Sequence, residues 1–185
     1  MNPYRFYGCL LLIGLLCAFS GHWTKRKLTA DKAQSSVTYR AVHPLHKWSG
    51  VSRDVACAVT YNDETAQIEN VAVSIKVATF DSGNSNRDSH ALEVLDGLKH
   101  PTVTFVSSDV KPGPNGTLTA AGTLTFHGVS KPMTLQAVRK DADGRMTLTG
   151  EFPVSLTAHQ VERPSFLGMK TQDEMKLQFT AVFLL

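Results

Sequence analysis

From Val37 onward the chain alternates apolar and polar side chains at every second position, in one segment after another. The apolar members run Val37, Tyr39, Ala41; the odd positions from Val51 to Tyr61; Val71, Val73, Ile75, Val77; Val103, Phe105; Leu118, Ala120, Gly122, Leu124, Phe126; Met133, Leu135, Ala137; Met146, Leu148, Gly150, Phe152, Val154, Leu156; and Met175, Leu177, Phe179, Ala181, Phe183. A period of two puts alternate side chains on opposite faces of a strand, so each run predicts a strand with one buried face. The intervening Thr, Ser, Lys, Gln and Asp suit the wet face. Turn chemistry separates the runs at Asn62-Asp63, Pro112-Gly113-Pro114-Asn115-Gly116, His127-Gly128 and Asp143-Gly144, and short turns imply antiparallel neighbours. The expectation is an all-β fold of eight antiparallel strands. That number suffices for a closed barrel that holds one small ligand and leaves no exposed sheet edge.

Two segments interrupt the alternation. The connection 80–101 opens with Asp81-Ser82-Gly83-Asn84-Ser85-Asn86 and continues as Arg87-Asp88-Ser89-His90-Ala91-Leu92-Glu93-Val94-Leu95, which predicts a short helix capped by Ser85 or Asn86. The connection Thr157 to Gln172 carries Arg163-Pro164-Ser165-Phe166-Leu167-Gly168-Met169 at its centre. Connections of that length in a compact domain are usually functional or mobile. Arg87-Asp88 and Glu162-Arg163 are expected to clamp them with ion pairs.

The amino terminus reads differently. Arg5 precedes an uncharged apolar run from Phe6 to Phe19, too short to cross a bilayer and shaped as an export signal. Ala18 and Ser20 are small where a signal peptidase requires it, so cleavage is expected after Ser20, with an uncleaved anchor and acylation at Cys17 as competing readings. Residues 21–27, with Lys25, Arg26 and Lys27, are expected to be a mobile stretch ahead of a single domain over 28–185. Cleavage would remove Cys9 and Cys17 and leave Cys57 alone, unable to form an internal disulfide in an oxidising compartment. Its place in the apolar series Val55, Cys57, Val59 makes it a small buried hydrophobe. An apolar fraction of 42% with 19% charged residues excludes a disordered chain and a polytopic membrane protein. A net charge of +3, spread evenly, excludes nucleic acid as the expected partner.

Little in the chain points to catalysis. No phosphate-binding glycine loop, serine nucleophile elbow or paired-cysteine metal signature stands in the required context. Asp54, Glu69, Asp109 and Glu151 fall on the polar phase, where carboxylates are solvated. The histidines His43, His46, His90 and His100 are the one group with metal-ligating chemistry, but Pro44 between the first two argues for a loop, and no metal is assigned. The aromatic and methionine residues on the apolar phase of separate strands fit either a filled core or the lining of a cavity. Gly122, Gly150, Ala120, Ala137 and Ala181 on that phase favour a cavity, because small side chains leave space.

Several short blocks in the same order carry a resemblance. Val42-His43-Pro44, Trp48-Ser49-Gly50, Thr79-Phe80-Asp81-Ser82-Gly83-Asn84 with Arg87-Asp88-Ser89-His90, His100-Pro101-Thr102-Val103-Thr104-Phe105, and Gly122-Thr123-Leu124-Thr125-Phe126-His127-Gly128-Val129-Ser130-Lys131-Pro132 together resemble the YceI-like polyisoprenoid-binding family, over roughly Leu28 to Leu185. The departures lie in the two long connections, at Val94-Leu95-Asp96-Gly97, where the family often has two aromatics, and at Glu162 to Gly168. The resemblance implies a lipocalin-like barrel, periplasmic or secreted, that holds a polyisoprenoid or other long-chain lipid, including a quinone, with no catalytic residue and no cofactor beyond that ligand. The expected lining comprises Val37 and Tyr39; Val55 and Val59; Val73 and Ile75; Phe105; Leu124 and Phe126; Leu135; Met146, Leu148 and Phe152; Phe166 and Met169; and Leu177 and Phe179. His43, His46, Trp48, Arg87, His90 and Arg163 are expected at the mouth, against a head group. A histidine-dependent redox accessory protein acting on a bound quinone or metal is the alternative. Transient membrane contact and a homodimer are compatible with either reading.

Overall fold

The computed structural model describes residues 25–185; the expected export signal, its cleavage point and residues 21–24 lie outside that range. Twelve strands and one α-helix follow in the order β1 (Lys25–Thr29), β2 (Ser36–His43), β3 (His46–Ser52), β4 (Val55–Asn62), β5 (Gln67–Lys76), α1 (Ser85–Val94), β6 (Thr102–Pro112), β7 (Thr117–Phe126), β8 (Val129–Ala142), β9 (Arg145–Ser155), β10 (Ser165–Phe166), β11 (Met169–Lys170) and β12 (Glu174–Leu184). Ten of the strands form one curled antiparallel sheet in the order β1-β4-β5-β6-β7-β8-β9-β12-β2-β3, while β10 and β11 make a separate small hairpin. Each predicted run falls mainly within a strand, except the odd series from Val51 to Tyr61, which falls in two. The pleat sends its apolar members to the concave side, where they can be buried together.

The sheet has ten strands instead of the expected eight for two local reasons. The Lys25-Arg26-Lys27 stretch, expected to be mobile, forms β1 along the β4 edge, with buried Leu28 opposite Val59. Arg26 pairs with Asp63 and Lys25 with Glu69 on the wet side. The odd series from Val51 to Tyr61, interrupted by the charged Arg53, is cut at Arg53-Asp54 into β3 and β4. The edges β1 and β3 do not pair with each other, so the sheet is a half-barrel. Side connections bridge the gap. At one end Asp31 N–H donates to Val182 C=O at 2.7 Å and Ser35 Oγ accepts from Val182 N–H at 3.1 Å. Beside β3, Val51 and Asp81 exchange backbone hydrogen bonds of 2.9 Å, and the Ser52 and Thr79 hydroxyls meet at 2.7 Å. The charged edge β1 resists pairing with a further strand.

One end of the half-barrel is sealed. Phe183 and Met146 are fully buried there among Leu28, Val59, Tyr61 and Ile68. Arg139 of β8 lies 5.5 Å from the Tyr61 ring, reaches its hydroxyl at 3.3 Å and the Ala66 carbonyl of the β4–β5 turn, and chelates Asp141. Arg26 covers the same ring at 5.7 Å. A second cluster, Phe105, Leu124, Phe126, Val154, Leu156 and Val161, lies toward the opposite end. The two-residue turn Asp143-Gly144 at the sealed end has positive φ at both positions, 51° and 68°, the geometry that matches the twist of a tight hairpin.

Candidate functional site

Between the two clusters lies a cavity of about 800 Å³, at the upper end of the ~300–1,000 Å³ usual for small-molecule sites. Its walls are the concave faces of β2, β4, β5, β6, β7, β8, β9 and β12, and its opening lies between α1, the β2–β3 turn and the β10–β11 hairpin. Of the expected lining, Val37, Tyr39, Val55, Val59, Val73, Ile75, Phe105, Leu124, Phe126, Leu135, Leu148, Phe152, Phe166, Leu177 and Phe179 stand on the wall. Met146 does not. It shares the phase of Leu148 but lies one step nearer the sealed end, where it packs fully buried beneath the cavity. Met169 is also off the wall; its backbone carbonyl accepts from His43 instead. The expected lining leaves out Phe80, Val94, Leu95, Val161 and Pro164, which reach the wall from the two long connections, where no period of two exists to announce them, and Ile68 and Val110, which lie past bulges that change the parity of β5 and β6.

The glycines act differently from the expectation. A Cβ at Gly150 would collide with the Gln136 carbonyl and the Phe179 ring, and one at Gly122 with the Val106 carbonyl and the Phe105 ring. Gly50 likewise receives the Tyr39 ring from its cross-strand partner. These positions leave room for the edges of aromatic rings that a Cβ would exclude. They open no space themselves. Ala120, Ala137 and Ala181 do stand on the cavity wall. So does the Cys57 thiol, which burial pushes up to about 12 and so keeps neutral and unreactive.

The mouth is the polar part. The helix α1 is capped by Asn84, whose side chain accepts from Arg87 N–H at 3.1 Å; Ser85 and Asn86, the expected caps, form its first turn instead. Arg87 Nε donates to Ser82 Oγ at 2.9 Å, and the Asp88 carboxylate accepts from Ser82 N–H at 3.2 Å. The expected ion-pair clamps are thus hydrogen bonds to backbone and hydroxyl, which a short loop can supply without a partner chain. Arg87, His90, His43, His46 and Trp48 all border the opening. Arg163 does not, since it turns to donate to the Thr171 carbonyl at 3.4 Å. Beneath the rim, burial holds the Tyr39 phenol above its usual range, with Asp88 acting the same way and Arg87 against it. The second long connection is fixed by Asp173, which accepts from Ser155 Oγ at 2.5 Å and Thr157 N–H at 2.8 Å and is held below the usual carboxylate range by those bonds.

The histidines divide into two groups. His43 and His46 face each other across the β2–β3 turn with ring centres 5.1 Å apart, and His46 packs on Trp48 at 5.2 Å. His43 is buried with both nitrogens engaged: Leu45 N–H donates to Nδ1 at 3.2 Å, so Nε2 carries the proton donated to Met169 C=O at 2.9 Å. His100 lies instead against His127, at 4.9 Å. Among the described residues no three His, Cys, Asp or Glu side chains converge in a metal-binding arrangement.

Residues 28–183 match the YceI-like domain. The chain belongs to the YceI-like domain family. Protein YceI of Salmonella newport is 31% identical over 114 residues, which cover 60% of this chain and 59% of that protein. A UPF0312 protein of Azotobacter vinelandii is 32% identical over 104 residues, covering 55% and 54%. The matched stretch thus spans little more than half the length of these curated relatives. The YceI-like fold recurs in Burkholderia cenocepacia BcnA, with a TM-score of 0.75 at 23% identity over 83% of this chain and 98% of that one. It recurs also in a polyisoprenoid binding domain from Saccharophagus degradans implicated in plant cell wall breakdown, with a TM-score of 0.65 at 10% identity over 87% and 99%.

Proposed function

We propose that this YceI-like protein is an exported binding protein that takes a polyisoprenoid or another long apolar chain into its cavity, for transport, storage or protection. The carrying observation is the cavity itself, about 800 Å³ walled mostly by aliphatic and aromatic side chains, with its charged side chains and imidazoles gathered at the mouth. Such a wall rewards an apolar chain by about 0.8 kcal/mol for each methylene removed from water. It offers few hydrogen-bonding partners at depth to a sugar, nucleotide or peptide, whose buried polar groups would go unpaired. The ligand named for the Saccharophagus degradans domain is of the same chemistry. A head group would remain among His46, Arg87 and His90 at the rim. The site offers binding groups, with no paired nucleophile and base.

Native mass spectrometry and solvent extraction of the purified protein test this reading. The expected result is one long-chain apolar molecule per protein. A protein that emerges empty and takes up neither an isoprenoid nor a fatty-acid probe overturns it. A bound quinone accompanied by stoichiometric metal, with turnover abolished by His43→Ala, would establish the redox alternative in its place.

A further inference from the structure

Two turns at the otherwise polar rim present apolar side chains to solvent. The β2–β3 turn presents Leu45, 55% exposed, and the β10–β11 turn presents Phe166 and Leu167, 57% and 74% exposed. The two tips are fastened together, through the hydrogen bond from His43 Nε2 to Met169 C=O and the contact of the His43 and Phe166 rings at 6.3 Å. Leu167 adopts φ +51° ahead of Gly168 at +76°. That left-handed conformation costs a side chain with a Cβ of the order of 1 kcal/mol. A similar pair of angles makes the tight hairpin at Asp143-Gly144, and here it carries the Leu167 side chain outward, 74% exposed.

The two turns themselves, 43–47 and 165–170, carry Lys47 and Lys170 and no carboxylate; behind them Arg40 and Arg163 are offset by Glu162, Asp173 and Glu174. Among the described residues no carboxylate pairs with Lys47 or Lys170, both of which are exposed. An apolar tip flanked by the exposed Lys47 and Lys170 fits an anionic bilayer surface, where Leu and Phe enter the boundary of the acyl chains and Lys meets phosphate. A second copy of the chain fits less well, because a two-fold contact through this rim would set the same cations against each other.

We propose that the Leu45 and Phe166-Leu167 tips dock the cavity mouth on an anionic lipid bilayer, so that an apolar chain passes between bilayer and cavity without crossing water. The inference rests on the lipid-binding reading above. The purified protein is floated on a density gradient with vesicles of phosphatidylcholine and phosphatidylglycerol, two parts to one, while uptake of a fluorescent fatty acid from solution is measured in parallel. Leu45→Asp with Leu167→Asp changes residues that do not line the cavity. This variant is expected to lose vesicle binding by about tenfold or more, as two apolar anchors become charged, and to keep fatty-acid uptake. Lys47→Glu with Lys170→Glu should weaken binding to the anionic vesicles and remove most of its salt dependence. The docking surface is overturned if the protein does not float, if the aspartate variant floats like the parent, or if sedimentation shows that the variant only converts a dimer to monomers. Vesicle binding that persists without fatty-acid uptake would instead refute the lipid-binding reading and leave the docking surface standing.

Discussion

The two ends of the half-barrel are built from the same strands and hold opposite kinds of surface. At the sealed end, Phe183 and Met146 have no exposed area, and Arg139 spans from β8 to the β4–β5 turn over the Tyr61 ring. At the open end, Phe166 is 57% exposed and α1 has no buried residue. Stability is therefore concentrated where the strands converge on one another. The mouth is carried by that frame and contributes little to it, as expected of segments that admit a ligand.

Phe183→Ala gives the largest contrast. Removing the ring from the sealed end should cost about 3–5 kcal/mol, the usual range for a fully buried Phe. Phe166→Ala at the rim should change stability by no more than about 0.5 kcal/mol. Urea titration of both variants checks this, and similar losses at the two sites would mean that the mouth is part of the cooperative core.

Cys57 tests the wall between the two ends. Its thiol ionises near 9.0 when unfolded and at about 12 in the fold. Above pH 9 the unfolded chain therefore binds fewer protons than the native one, and stability falls as pH rises. The slope contributed is about 1.4 kcal/mol per pH unit between those limits. Cys57→Ala should flatten the alkaline limb of a plot of unfolding free energy against pH, and an unchanged limb would show that water reaches the thiol.

Gly150→Val acts on both properties at once. Its Cβ meets the Gln136 carbonyl and the Phe179 ring, so a destabilisation of about 1–3 kcal/mol is expected from overpacking. The ring can yield only into the cavity, so occupancy by an apolar chain should fall together with stability. A variant that unfolds more easily but keeps full occupancy would show that Phe179 does not bound the ligand space.

The same contrast explains what could be read from the sequence. Strands with one buried face write their phase into the chain, which is why the runs through Phe105, Leu124, Phe152 and Phe179 are legible and stand on the cavity wall. Phase reports face, however, and not depth. Met146 and Leu148 are equivalent by period, yet one is sealed beneath the cavity and the other lines it. A small residue is equally ambiguous, since Ala120 leaves room while Gly150 receives a ring from its cross-strand partner Phe179. β1 was hidden because Leu28 is its one buried residue among exposed Lys25, Arg26, Lys27 and Thr29. Five of the six residues expected at the mouth border it, but the way its two turns are fastened was not legible, because it depends on bonds from side chains to backbone carbonyls, such as that from His43 Nε2 to Met169 C=O, which no side-chain pattern records.

The smallest global effect belongs to α1. Its N-terminus is held by the Asn84 side chain, and loss of such a cap weakens a helix by roughly 0.5–2 kcal/mol. Because α1 buries no residue completely, that weakening has little apolar contact through which to reach the sheet. Asn84→Ala should therefore leave the urea midpoint nearly unchanged while amide exchange speeds up at Arg87, Asp88 and the following turn. If exchange accelerates in β5 and β6 as well, the helix and the strands open together, and the division between a rigid frame and a separately opening mouth fails. If it accelerates in α1 alone, local opening beside Arg87 and His90 becomes a means of widening the cavity entrance without unfolding its walls.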